Sequence, residues 1–104
     1  MERQTLAEFR VRLTKALGET LQMLCLFGSR ARGEGNDESD LDVLVLTATV
    51  NRTIKETIWD IANDLLLETD VYLSPLVMSV TEFQTLRDRE RRLALEIAHD
   101  GIPL

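Results

Sequence analysis

Two aspartates separated by a single residue begin the apolar segment "DLDVLVL" at positions 40–46. Side chains alternate across a strand, so Asp40 and Asp42 are expected to point to the same face. Two carboxylates side by side in an apolar sheet repel each other and lose hydration, and a divalent cation would remove that penalty. Mg²⁺ is commonly held by one or two carboxylates together with substrate phosphates. The pair therefore predicts a site for a metal–nucleotide complex.

A glycine and a serine end the preceding apolar segment, "LQMLCLF" at positions 21–27. Gly28 would let the backbone approach a ligand closely, because no Cβ stands in the way. If the following "SRAR" opens a helical turn, its free N–H groups favour phosphate. The Ser29 hydroxyl could donate to a phosphate oxygen, and Arg30 or Arg32 could supply positive charge. These residues predict a phosphate-binding turn.

Each of these features has an ordinary structural alternative. Gly-Ser after a strand can be a simple turn, and two acids spaced by one residue can be a solvated strand start or a helix cap. The stretch "GEGNDESD" at positions 33–40 can be a flexible surface loop, which is the interpretation for Glu34, Asn36, Asp37 and Glu38. The combination is more specific than its parts, because it places a phosphate-type turn and a carboxylate pair at corresponding places on two successive strands.

Apolar spacing predicts the elements that position these groups. Helical spacing of three and four residues occurs over 5–17, 51–67 and 81–99, with capping boxes at Thr5/Glu8 and Thr81/Gln84. Continuous apolar runs predict strands over 21–27, 40–46 and 71–80, with Pro75 implying an edge position, a bulge or a break in the last one. The order α-β-β-α-β-α predicts one small α/β domain over residues 1–104, with a short mixed sheet flanked by helices in two or three layers.

Composition limits the possible partners. The chain has 12 basic and 18 acidic residues among 104, a net charge of −6, which gives no general attraction to nucleic acid or to an anionic membrane. No segment approaches the apolar length of a membrane span. Cys25 stands alone in an apolar run and is expected to be a buried, inert thiol. We therefore expect a cytoplasmic protein without direct nucleic-acid binding.

The stretch "GSRARGEGNDESDLDVLV" resembles the signature of the DNA polymerase β-type nucleotidyltransferase superfamily: Gly-Ser, ten intervening residues, then Asp-x-Asp. The form "GSRARG…SDLD" is most similar to the minimal nucleotidyltransferases, small stand-alone domains of bacteria and archaea. The resemblance is strongest over 26–45, and the order of elements extends it over the whole chain.

This resemblance implies transfer of a nucleoside monophosphate from an NTP, with ATP and AMP expected, to a hydroxyl acceptor. Asp40 and Asp42 would ligate two Mg²⁺ ions, and Gly28 with Ser29 would hold the β- and γ-phosphates, assisted by Arg30. The family usually adds a third carboxylate from the following strand.

For that third carboxylate and metal ligand, Asp70 is the natural candidate, because it comes just before "VYLSPLV". However, Asp70 precedes the apolar run and could be an ordinary turn acid. Tyr72 lies two residues on and on the same face. A change of register by one step would put Tyr72 where the carboxylate belongs.

The resemblance also implies a partner. Minimal nucleotidyltransferases pair with small helical proteins of the HEPN type in two-gene toxin–antitoxin systems, and some are thought to add AMP to a tyrosine of the partner. The alternative is a binding module with a vestigial nucleotide site that neutralises its partner by contact. A small-molecule modifier of the aminoglycoside type is less favoured, because 104 residues leave no room for an acceptor domain. A homodimer through exposed strand edges is a default expectation.

The segment "RDRERR" at positions 87–92 alternates in charge with a basic excess. Such a pattern usually forms a solvated helix face with i, i+4 ion pairs. The alternative is a docking surface for an acidic partner protein.

Overall fold

The computed structural model describes residues 2–28, 30–33 and 40–104. Its elements are α1 (Glu2–Leu17), a 3₁₀ turn (Gly18–Thr20), β1 (Leu21–Phe27), β2 (Leu41–Thr47), α2 (Arg52–Thr69), β3 (Leu73–Ser79), α3 (Val80–Asp88), α4 (Arg92–Asp100) and β4 (Ile102–Pro103). The predicted α/β class and the order of the first five elements are confirmed. Among the described residues, no helix has the length and apolar character needed to cross a membrane.

The strands form one mixed sheet in the order β3-β2-β1-β4. β1 runs antiparallel to both β2 and β4, whereas β2 and β3 are parallel. Pro75 lies on β3 at the edge of this sheet, so the edge position is the correct one of the three predicted alternatives. An edge strand tolerates proline because one side of its backbone needs no ladder hydrogen bond.

Helices cover both faces of the sheet, which gives three layers. Val43 and Val45 of β2 pack with α1 and α2 in one buried cluster. Leu44 and Leu46, which alternate with them, pack with α3 and α4 in a second cluster. Side chains at even positions of β2 therefore face α3 and α4, and Asp42 is one of these positions.

The first helix begins earlier than predicted. α1 already includes Glu2, and Thr5 lies within it as a buried residue, 2% exposed. The predicted capping box of Thr5 and Glu8 is therefore wrong. Glu8 instead pairs with Arg12 one helical turn later, at 3.0 Å.

The C-terminal region contains two helices where one was predicted. α3 starts at a capping box formed by Ser79 and Glu82, and not by Thr81 and Gln84: the Glu82 N–H donates to Ser79 Oγ at 3.0 Å, and the Ser79 N–H donates to Glu82 Oε1 at 3.3 Å. α3 ends at Asp88 because Glu90 adopts a left-handed conformation, with φ of 53°, that a helix cannot continue through.

Candidate active site

The antiparallel pairing of β1 and β2 brings the two sequence features together. The end of β1 lies beside the start of β2, and Phe27 is directly opposite Asp42 in the register. Gly28, the next residue, therefore lies beside the Asp42 side chain. Asp40 precedes β2 and is exposed. Ser29 lies outside the described residues.

Gly28 is in close contact with the Asp42 carboxylate. Its φ is +81°, in the left-handed region that favours glycine. A Cβ at this position would lie 2.5 Å from Asp42 Oδ2, well inside van der Waals contact. The location of the carboxylate thus requires glycine at position 28.

Residues 30–33, the described part of the segment that follows Gly28, lie in a turn. The Arg32 N–H donates to the Gly28 carbonyl at 3.2 Å, and the Gly33 N–H donates to the Arg30 carbonyl at 3.2 Å. The first of these bonds has the i to i+4 spacing of an α-helix. Gly28 and Arg32 consequently lie on the same side of the turn.

Asp42 is half-buried, and its pKa is raised from the ordinary value. Burial is the largest cause, followed by the negative charges of Asp40 and of Glu96 on α4. The raised pKa means that the site disfavours the carboxylate ion when no cation is near.

A hard cation would offset this unfavourable charge, and the oxygen donors of Asp40 and Asp42 are the kind that Mg²⁺ prefers. Within the described ranges, no three His, Cys, Asp or Glu side chains are grouped closely enough to hold a metal ion by themselves. The donor set therefore fits a cation that takes its remaining ligands from substrate and water.

The structure does not bring Asp70 to this pair. Asp70 is the exposed C-cap of α2, in a left-handed conformation with φ of 61°, and its N–H donates to the Leu66 carbonyl at 2.8 Å. It ends a helix and lies three residues before β3. Among the described residues, the charges that raise the pKa of Asp42 are those of Asp40 and Glu96.

The neighbouring strand offers hydroxyl groups beside the carboxylates. Ser74 is directly opposite Asp42 in the parallel register of β2 and β3. The Leu41 N–H donates to the Tyr72 carbonyl at 3.0 Å, so the pairing continues back to Tyr72. Tyr72 and Ser74 alternate with Leu73 and so share the face of Asp42. Neither residue that lies next to the aspartate pair on this side of the sheet, Tyr72 or Ser74, is acidic.

The two arginines of the turn lie in different surroundings. Arg30 forms an ion pair with Glu2 and lines a groove of about 450 Å³ together with Leu6 and Leu41, on the α1 side of the sheet. Arg32 Nη1 lies 2.7 Å from Glu96 Oε1. Because Glu96 acts on Asp42, Arg32 is the arginine on the carboxylate side.

The sequence alone could identify Arg32 as a residue of the site, but it could not identify Glu96. Arg32 is four residues after Gly28, and a helical turn places such residues on one side. Glu96 is 64 residues from Arg32, and only the packing of α4 on the sheet brings them together.

The sequence matches the family described as "Nucleotidyltransferase domain" over residues 6–98. A Methanocaldococcus jannaschii protein that carries the name protein adenylyltransferase is 32% identical over 96 residues, which span 90% of this chain and 96% of that protein.

Solved structures share the fold. One is described as a minimal nucleotidyltransferase: it has a TM-score of 0.61 and 22% identity, with 98% of this chain and 94% of that chain covered. Another is a chain of the complex between a tri-AMPylated Shewanella oneidensis HEPN toxin and an MNT antitoxin, with a TM-score of 0.55 and 20% identity over 99% of this chain and 71% of that chain. The family match spans most of the sequence, and the chain belongs to the nucleotidyltransferase domain family and is a nucleotidyltransferase.

Proposed function

We propose that this protein is a Mg²⁺-dependent adenylyltransferase that transfers AMP from ATP to a hydroxyl group of a partner protein. The partner we propose is a small helical HEPN-type toxin, with this chain as the antitoxin. The name of the Methanocaldococcus jannaschii relative supports adenylylation of proteins. The likeness in fold to a chain from a complex that holds an AMPylated HEPN toxin supports the kind of partner.

The observation that carries the proposal is the contact between Gly28 and the Asp42 carboxylate. It brings the turn after β1 next to the Asp42 side chain, and so supports a phosphate site beside the aspartates. In our proposal Gly28 and Ser29 hold the β- and γ-phosphates, and Arg32 is better placed than Arg30 to supply positive charge to them. Asp40 and Asp42 would hold two Mg²⁺ ions, which when bound activate the acceptor hydroxyl and offset the phosphate charge.

The proposed reaction is a displacement at the α-phosphorus of ATP. The acceptor hydroxyl oxygen forms a bond to that phosphorus, and the bond from the α-phosphorus to the oxygen bridging to the β-phosphorus breaks. Pyrophosphate leaves with the electron pair, and the hydroxyl proton passes to solvent. The protein contributes mainly by holding the triphosphate and the acceptor in line.

Calorimetric titration of ATP tests the site. We expect binding by the wild type with Mg²⁺ and none when the metal is chelated. The double variant Asp40→Asn/Asp42→Asn is expected to bind at least about a hundredfold more weakly, a loss of about 2.7 kcal/mol. Asp60→Asn, an exposed change on α2, is the matched control and should bind like the wild type. Equal affinities for the wild type and the double variant would refute the proposed site.

A second candidate function is neutralisation of the partner by contact, with little or no transfer. The observation that favours it is the absence of a carboxylate at positions 72 and 74 of the described chain, next to the aspartate pair. Without a third acid, activation of the acceptor hydroxyl would be weak. The two functions differ in outcome: contact alone would survive the Asp40→Asn/Asp42→Asn changes, whereas adenylylation would not.

The variant Tyr72→Asp tests how strongly the missing third carboxylate limits the rate of AMP transfer. Tyr72 is 56% exposed at the edge of the site, so an aspartate there is accommodated without repacking the interior. We expect a transfer rate about tenfold higher, because a third oxygen ligand strengthens the hold on the metal ion. The measurement is the initial rate of label transfer from α-labelled ATP.

Tyr72→Asn is the control for this experiment, since it removes the same ring without adding charge. Equal rates for the aspartate and asparagine variants would mean that position 72 does not take part in the metal site.

A further inference from the structure

The turn between α3 and α4 carries a concentrated positive charge on an acidic protein. Residues 87–92, here called the arginine turn, contain four of the chain's twelve basic residues and two acids. All six side chains are exposed. In the described part of the chain, none of these four arginines has an ion pair. The i, i+4 pairs expected of a solvated helix face do not form, because the helix breaks here.

The backbone of the arginine turn is fixed by hydrogen bonds. The Arg89 N–H donates to the Thr85 carbonyl at 3.1 Å, and the Arg91 N–H donates to the Leu86 carbonyl at 2.9 Å. The left-handed Glu90 between them reverses the chain in the manner of a helix C-terminal motif. The backbone that carries the guanidinium groups is therefore ordered before any partner binds, which lowers the entropy lost on binding.

The arginine turn leads into α4, the helix that carries Glu96 of the candidate active site. Arg92 precedes Glu96 on α4 by one helical turn, about 6 Å along the axis. Glu96 contacts Arg32 of the phosphate turn at 2.7 Å, and its charge acts on Asp42. A molecule held at the Arg92 end of the arginine turn would consequently lie about one helical turn from Glu96.

An exposed apolar side chain lies within the same surface. Leu95 is 54% exposed and follows Arg92 by three residues, so the two share one side of α4, and Arg91 is the N-cap of the same helix. Arginines around an apolar side chain are typical of protein–protein interfaces.

We propose that the arginine turn, with Leu95, docks an acidic surface of the protein substrate and so brings its hydroxyl to the active site. This inference rests on the proposed function and adds the chemistry of the acceptor. An acidic protein surface fits better than a nucleic acid, because a long phosphate backbone would also meet the acidic remainder of a chain with net charge −6. The exposed Leu95 would also pack against an apolar side chain of a protein substrate.

Binding of a fluorescent random copolymer of glutamate and tyrosine tests the proposal without ATP or metal. We expect the wild type to bind it at about 0.05 M salt and to lose affinity at about 0.5 M, as exposed ion pairs do. The double variant Arg89→Gln/Arg91→Gln should bind about tenfold more weakly. Arg3→Gln/Arg10→Gln, which removes the same charge from exposed positions of α1 on the other face of the sheet, should bind like the wild type.

Three results would overturn the docking proposal: no binding of the copolymer, equal loss in both double variants, or tighter binding of a single-stranded RNA oligonucleotide than of the copolymer. The ATP titration tests the proposed function independently of the docking surface. If ATP does not bind while the copolymer distinguishes the two double variants, the transfer reaction is refuted and the docking surface stands. If ATP binds as expected and the variants do not differ, only the docking surface is refuted.

Discussion

Replacing Gly28 with alanine is expected to abolish Mg²⁺-dependent ATP binding while the protein still folds. The added Cβ would lie 2.5 Å from Asp42 Oδ2, so the carboxylate must leave its position. The left-handed backbone at φ of +81° adds strain of about 1–2 kcal/mol for any residue with a Cβ. We expect the affinity for ATP to fall at least about a hundredfold, or about 2.7 kcal/mol.

Gly18→Ala separates the effect of the contact from the effect of the strain. Gly18 also has a positive φ, +57°, but nothing lies within 4 Å of the position its Cβ would take. It lies in the 3₁₀ turn before β1, whereas Gly28 follows the other end of that strand. Both variants should lose stability in thermal unfolding through backbone strain, Gly28→Ala more because of its added contact with Asp42, and only Gly28→Ala should lose ATP. Retention of ATP by Gly28→Ala would mean that Asp42 is not part of the nucleotide site.

The contact of Gly28 with Asp42 was predictable from the sequence because it depends on local rules. Alternation in a strand puts Asp40 and Asp42 on one face, and the two strands are consecutive, so an antiparallel pair brings the end of the first to the start of the second. Burial of Cys25 followed from its apolar neighbours in the same way: it is 4% exposed, and burial raises the pKa of its thiol.

The third strand was less predictable because its register depends on the crossover through α2. Periodicity identified an apolar run from residue 71 but could not decide which of its residues lies opposite Asp42. The parallel register places Ser74 there, and Asp70 serves as the C-cap of α2. A shift of a few residues in such a crossover decides whether an acid enters the site, and hydrophobic spacing carries no information about it.

The surroundings of the arginines were unpredictable for a related reason. The Arg32–Glu96 pair joins residues 64 positions apart, and it depends on how α4, a helix separate from α3, packs on the sheet. Helical spacing continues from 81 to 99, so the pattern predicted one helix. The break occurs at Glu90, a residue type that gives no turn signal.

Asp42→Asn is expected to stabilise the fold at neutral pH and at the same time to remove the metal-dependent binding of ATP. The pKa of Asp42 is raised in the folded protein, first by burial and then by Asp40 and Glu96. A raised carboxyl pKa contributes stability below the unfolded-state pKa, and this contribution is lost as the pH rises through the folded-state pKa. At neutral pH the ionised Asp42 therefore opposes folding, and asparagine has the same size without the charge.

Thermal unfolding at two pH values checks this prediction. Without Mg²⁺, the Asp42→Asn variant should unfold at a higher temperature than the wild type at about pH 7, and the difference should shrink near pH 4, where carboxyl groups become protonated. Asp60→Asn should match the wild type at both pH values. A variant that is less stable than the wild type at neutral pH would contradict the prediction. The opposite effects on stability and on ATP binding would indicate that the aspartate serves the ligand and not the fold, since a carboxylate selected for stability would not be placed where burial and like charges oppose its ionisation.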